Sequence, residues 1–303
     1  MLRNLFLFLS RQRWLRSHME RPGVAEKLVR RFVAGRTLDE AVKVCRRLAG
    51  ENILVTLDHL GENVTNDLEA AASLADYQDA LLRLRQERLG GTISIKLTQL
   101  GLDQSTDACR ERVFVLCDEA SRGGTRVEID MESSAYVERT LAIVEAAHAR
   151  SGNVRAVIQA YLRRSEADIR RLNQLGIPVR LCKGAYLEPA SLAYEDKREV
   201  DENYARLLTL LLAEGTQPAL ATHDARLVTR ALEELNRKGT GPNEMEFQML
   251  YGIGRDLQKR IVRAGYPLRL YVPYGVAWYP YFMRRLAERP ANVWFLARNL
   301  TRA

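Results

Sequence analysis

No apolar run in this sequence is long enough to cross a bilayer. The longest near its start, Leu5 to Leu9, falls far short of the roughly 20 residues a spanning helix needs. It is also short for a secretory signal core, and Arg11, Arg13 and Arg16 follow it where a small-residue cleavage site belongs, which argues against export. Cysteine is sparse: Cys45, Cys109, Cys117 and Cys182 lack CxxC or any other metal spacing and read as reduced thiols of a cytoplasmic protein. Neither HExxH nor HxH occurs among the four histidines, GxSxG is absent, and no GxGxxG follows the first strand candidate. With no Pro/Ser-rich linker either, zinc-protease, serine-hydrolase, dinucleotide-fingerprint and linker readings lose their support.

What is present begins with charge. The 46 Lys+Arg against 38 Asp+Glu give +8. Residues 1–50 hold 12 basic and 4 acidic side chains, which leaves 34 of each sign for residues 51–303. A charge-neutral body argues against a nucleic-acid partner. The excess belongs to the leader, where Met1 to Met19 contains four arginines and no acid. That composition fits a mitochondrial presequence or an ordinary amphipathic first helix, and the second is the reading adopted.

Residues 1–50 look helical throughout, with Thr37 to Glu40 as a capping-box-like start for a helix over Ala41 to Ala49. From residue 53 short β-branched runs alternate with longer helical periodicity. The strand candidates are Ile53–Leu57, Thr92–Leu97, Arg126–Asp130, Val154–Gln159, Pro178–Cys182, Pro218–Thr222, Glu246–Leu250 and Leu268–Val272. Eight βα units predict an α/β fold with a parallel sheet, and eight is the number that closes a (βα)8 TIM-like barrel of about 250 residues. An open doubly wound sheet is the alternative. Residues 51–303 supply the barrel, and residues 1–50 form an N-terminal helical segment packed on it.

In a barrel the C-terminal strand ends face the active site. Asp58 and His59, Lys96, Asp130, Gln159 with Tyr161, Lys183 to Tyr186, Thr222 to Asp224, Gln248 with Tyr251, and Tyr271 to Gly275 fall there. Lys96 and Asp130, on adjacent strands, predict a buried ion pair, functional or purely structural. Gly184 and Ala185 leave room for backbone N–H groups to approach a large ligand. In the last helix Tyr281, Arg284, Arg285 and Glu288 share neighbouring faces. Two adjacent guanidinium forks suit a small carboxylate, and the alternative is a solvated pair. Aromatic residues at 271, 274, 278, 279 and 281 favour the first by giving the arginines a wall. His59 and His223 would either share a metal with Asp58 or Asp224, or leave His223 donating to a ligand, and no metal is the expectation.

Arg180-Leu-Cys-Lys-Gly-Ala-Tyr-Leu-Glu-Pro189, Ala221-Thr-His223, Glu246-Phe-Gln-Met-Leu-Tyr-Gly252, Tyr271-Val-Pro-Tyr-Gly275 and Arg284-Arg-Leu-Ala-Glu288 together resemble the proline dehydrogenases, in particular the short monofunctional bacterial type. The resemblance extends through Phe32 to Glu40 and Asp58 to Thr65 and so runs over nearly the whole chain. It implies a distorted barrel that binds FAD and oxidises L-proline to Δ1-pyrroline-5-carboxylate by hydride transfer to flavin N5. Electrons would pass to a membrane quinone, as the first step of proline catabolism to glutamate. Arg284 and Arg285 would hold the proline carboxylate beside Lys96, with Tyr186, Leu250, Tyr271 and Tyr281 shaping the pocket. Asp130 and Arg180 match active-site positions, and Met131, Gln159, Arg180, Lys183, Gly184, Ala185, Thr222 and His223 match positions contacting FAD. Cys182 stands where Val is frequent and Asp224 where Asn is frequent, so Asp224 is expected to place an extra negative charge near His223. The implied setting is cytoplasmic and peripheral, with the basic N-terminal helices resting transiently on the inner membrane face near the quinone.

Overall fold

The computed structural model describes residues 12, 14, 31–61, 64–239, 241 and 244–288, without the side chains of 284–288. Its strands are β1 (Leu54–His59), β2 (Thr92–Ile95), β3 (Val127–Ile129), β4 (Val154–Gln159), β5 (Val179–Cys182), β6 (Ala219–Ala221), β7 (Glu246–Leu250) and β8 (Leu268–Tyr274). All neighbours pair in parallel, and β1 pairs with β8 from Leu54↔Arg269 to His59↔Tyr274, closing the barrel. Closure decides against the open sheet. A parallel strand here is buried on both faces, and the β-branched runs supply the outward face that meets the helices.

The described helices are α1 (Leu38–Gly50), α2 (Asp67–Gln86), α3 (Thr106–Arg122), α4 (Val137–Ser151), α5 (Ser165–Gln174), α6 (Lys197–Glu214), α7 (Ala225–Lys238), α8 (Arg255–Arg263) and α9 (Trp278–Glu288). Their buried residues and the outward strand residues form one core running from Ala34 to Tyr274. Cys45, Cys109 and Cys117 lie in it, and burial pushes each thiol up to about 12, so they are inert packing groups.

The leader is not helical throughout. Residues 31–37 form turns, because Gly35 sits at φ +126°, a backbone conformation that does not continue a helix. Helix α1 begins at Leu38, earlier than the sequence pattern suggests. Thr37 Oγ1 accepts from Glu40 N and Glu40 Oε2 accepts from Thr37 N, both at 3.3 Å, so the capping box fixes the start. The turn segment docks on the C-terminal mouth of the barrel. Ala34 N donates to Pro273 O (2.8 Å), Gly275 N donates to Gly35 O (3.0 Å), and Arg31 Nε donates to Gly252 O (3.3 Å). Phe32 and Val33 thereby join Leu60, Ile253, Trp278, Tyr279, Tyr281, Phe282 and Met283 in a second apolar cluster, with Leu250 at its edge.

Candidate active site

Side chains alternate along each strand, so one parity of every strand points into the barrel. Here that parity is largely polar, with Thr56 and Asp58, Ser94 and Lys96, Glu128 and Asp130, Arg155 and Gln159, Arg180, Glu246 and Gln248, Arg269 and Tyr271, while Val157, Cys182, Ala219 and Ala221 are its small or apolar members. At the C-terminal ends they form the floor of a cavity of about 620 Å³.

Asp130 organises that floor. Its Oδ1 accepts from Arg180 Nη2 (2.6 Å) and Ser94 Oγ (2.7 Å), and its Oδ2 accepts from Tyr271 OH (2.9 Å), with Lys96 Nζ at 3.5 Å. Burial works to raise the Asp130 pKa, but Arg180 and Lys96 overcome it and hold the carboxyl below the ordinary range. Arg180 is opposed by its own burial too, yet Glu128 and Asp130 drive its pKa upward and keep it charged. Lys96 also donates to Asp58 Oδ1 (3.1 Å) and Tyr271 OH (3.4 Å). Asp58 itself is fully buried, and burial outweighs Lys96 there, raising its pKa. Burial and Asp130 together push the Tyr271 phenol well above its usual value, so it stays a donor.

One flank of the cavity is the segment after β5. Gly184 has φ +96°, and an added Cβ would fall 2.1 Å from a Tyr161 ring carbon, so the loop needs glycine there to lie on that ring. Lys183 Nζ is held by Asp201 and by Asp224 at 3.1 Å. Asp224 caps α7 through Arg226 N (3.0 Å) and pairs with the Arg226 guanidinium at 3.2 Å. Burial opposes its charge, but Arg226 and Lys183 bring its pKa far below the carboxylate range. The extra charge expected near His223 is therefore matched by Lys183 and Arg226. His223 Nε2 accepts from Leu250 N (3.0 Å), so a neutral ring carries its proton on Nδ1.

The cavity lining brings together Lys96, Asp130, Met131, Gln159, Arg180, Lys183, Gly184, Ala185, Tyr186, Thr222, His223, Leu250 and Tyr271, thirteen of the sixteen residues to which the resemblance gives a catalytic, substrate or cofactor role. Tyr281 is instead buried in the second apolar cluster, next to the cavity through Leu250. Arg284 and Arg285 lie on α9, and their side chains are outside the described residues. His59 does not line the cavity: its Nδ1 meets Asp76 Oδ2 at 3.3 Å and its ring lies 5.2 Å from Tyr274. No group of metal-ligating side chains assembles among the described residues. Sequence reasoning passed over Ser94, Glu128, Arg155, Glu246 and Arg269, whose signal is their even spacing from Lys96, Asp130, Gln159, Gln248 and Tyr271 along the same strands.

FAD can be tested against this lining. Gln159 donates with Nε2 to Met131 O (3.0 Å) and keeps its buried Oε1 without a partner among the described residues, as does Arg180 its Nε. An unused acceptor and an unused donor on one cavity wall suit a flavin ring, whose edge presents one N–H among several acceptors. A second cavity, of about 560 Å³ between the N-termini of α6 and α7, shares Lys197 and Asp224 with the first. The residues present fit the cofactor.

The sequence model of the family described as proline dehydrogenase matches residues 41–298. Proline dehydrogenase 1 of Bacillus subtilis is 38% identical over 300 residues, covering 99% of both chains. Proline dehydrogenase of Deinococcus radiodurans is 36% identical over 297 residues, covering 93% of this chain and 94% of its own. Among solved structures, proline utilization A from Bdellovibrio bacteriovorus, inactivated by N-propargylglycine, superposes with a TM-score of 0.80 at 26% identity. That match covers 86% of this chain and 32% of the longer protein.

Proposed function

This chain belongs to the proline dehydrogenase family and is a proline-oxidising enzyme, and we propose that it converts L-proline to Δ1-pyrroline-5-carboxylate with FAD as first electron acceptor and a membrane quinone as second. This would be the first step in the catabolism of proline to glutamate. The observation that carries the finer reading is the cavity floor. There Arg180, Lys96 and Tyr271 converge on one carboxylate beside a wall with unused hydrogen-bonding atoms.

FAD would supply the two-electron acceptor for the hydride leaving the ring carbon next to nitrogen, a capacity side chains lack. Gln159, Arg180, Lys183, Gly184, Ala185, Thr222 and His223, with the backbone of Met131, would hold it. Lys96, Arg284 and Arg285 would bind the proline carboxylate and fix the ring at one distance from the acceptor, which supplies most of the catalytic advantage. Leu250, Tyr186, Tyr271 and Tyr281 give the apolar ring its walls. The amine must be neutral before the C–H bond breaks. Arg284 and Arg285, added to Lys96 and Arg180, would favour its deprotonated form, so no separate base is assigned.

The purified protein is expected to be yellow and to bleach anaerobically with L-proline but not with NAD(P)H. A folded protein that stays colourless with added FAD and reduces no dye with proline would overturn the proposal. Bleaching by NAD(P)H alone would convert it to a flavin reductase.

A further inference from the structure

Below the cavity floor lies a second layer of charge that the proposed chemistry does not use. Glu128, Arg155, Glu246 and Arg269 enter the barrel from the N-terminal parts of β3, β4, β7 and β8, all deeply buried. Glu128 is the member that reaches upward. Its carboxylate accepts from Gln248 Nε2 (3.1 and 3.2 Å) and Arg155 Nη1 (3.2 Å), and it lies 3.4 Å from Arg180 Nη1. Arg180 therefore stands between two carboxylates, Asp130 at the cavity and Glu128 beneath it. Glu246 pairs with Arg155 (2.5 Å) and Arg269 (2.9 Å) but forms no ion pair with Arg180 among the described residues.

We propose that Glu128 is a positioning residue that, by holding one side of the Arg180 guanidinium, sets the net charge at the cavity floor and thereby the reduction potential of the cofactor bound there. The inference rests on the FAD reading above. In a water-poor barrel a unit charge acts over several ångströms with little screening. Reduction adds negative charge to the flavin ring, so a more positive floor favours the reduced state. Arg155 draws on the same carboxylate from below, so it opposes Glu128's effect on Arg180.

The test is the midpoint potential of flavin in the holoprotein. Glu128→Gln is expected to raise it by at least about 30 mV, a tenfold change for a two-electron couple. Glu128→Asp, which keeps the charge, should stay near wild type even where its melting temperature falls. Arg155→Met, which removes one of the cations around Glu128 and leaves only Arg269 Nε (3.9 Å) beside Arg180, should lower the potential. A merely structural role predicts equal thermal losses for the two Glu128 variants and no shift of opposite sign with Arg155→Met. Unchanged potentials, or shifts of one sign in Glu128→Gln and Arg155→Met, would overturn the inference. If Glu128→Gln does not fold, the other two variants still decide it. A wild-type protein without flavin would instead overturn the proposed function, so the two failures are distinct.

Discussion

Arg180 shows why the site needs a guanidinium. One nitrogen donates to Asp130 and Ser94, the other to Gln248 with Glu128 in reach, and the side chain is almost wholly buried. A lysine ammonium offers one point charge and cannot span two carboxylates stacked one above the other along β3. Arg180→Lys is therefore expected to lower kcat/KM for proline by roughly two orders of magnitude, taking about 3 kcal/mol for breaking one arm of a buried charged pair. Steady-state kinetics with an artificial dye acceptor, beside flavin content per protein, measures this. A loss under tenfold with full flavin content would remove Arg180 from the centre of the site. Its importance was legible because it opens a recognisable run, Arg180 to Pro189. Ser94 was not, because a small hydroxyl inside Thr92 to Ile95 looks like any strand residue until the partner across the barrel is known.

The described turn at residues 31–36 gives the leader a function at the level of elements. It is tied by backbone hydrogen bonds to the end of β8 and by the Arg31 side chain to Gly252 just past β7, and Phe32 is 1% exposed with its ring 6.0 Å from Phe282. Phe282 stands on α9, the helix that bears Arg284 and Arg285, so the leader braces the element assigned to the substrate carboxylate. Phe32→Ala should destabilise the protein by about 3–5 kcal/mol as a large buried ring is removed. At temperatures where it remains folded, KM for proline should rise severalfold while flavin affinity holds, because the flavin lining comes from other strands. Equal weakening of both would mean that the cluster supports the whole barrel mouth rather than α9. The helix after Thr37 was readable from Thr37 to Glu40, whose reciprocal bonds are local. The turn before it was not, since Phe32-Val-Ala-Gly35 owes its path to partners more than two hundred residues away.

Across the whole molecule, positive and negative charge are sorted by place. The barrel interior balances Arg155, Arg180, Arg269 and Lys96 against Glu128, Glu246, Asp130 and Asp58, and the closed eight-strand sheet was foreseeable because each strand candidate was a separate short run. The balance was not foreseeable from local pattern, as it depends on which parity faces in and which strands meet. Asp130, Glu246 and Asp224 have folded-state pKa values below their ordinary ones, so the stability they contribute is complete above about pH 4 and is lost as pH falls through the folded values. Asp58 and Glu132, the latter a buried carboxylate that accepts from Thr98 Oγ1 (2.7 Å), are shifted upward by burial and act in the opposite sense: they destabilise the fold as pH rises through their raised values. Thermal melts should hence drop steeply below about pH 4, and a melting temperature unchanged to pH 3 would contradict the pairing. The unbalanced charge lies in the sequence before the barrel. With 12 basic residues against 4 acidic in residues 1–50, and an apolar Leu5 to Leu9, this segment has the composition of one that rests on anionic lipid. Four arginines within residues 1–19, at about 1 kcal/mol each near a negative surface, correspond to as much as three orders of magnitude in membrane partitioning. Removing residues 1–19 should leave dye-coupled proline oxidation unchanged and slow reduction of quinone held in anionic vesicles, an effect that shrinks as salt is added. Equal losses with dye and quinone would give those residues a structural role, and equal rates with both acceptors would place quinone delivery elsewhere on the barrel.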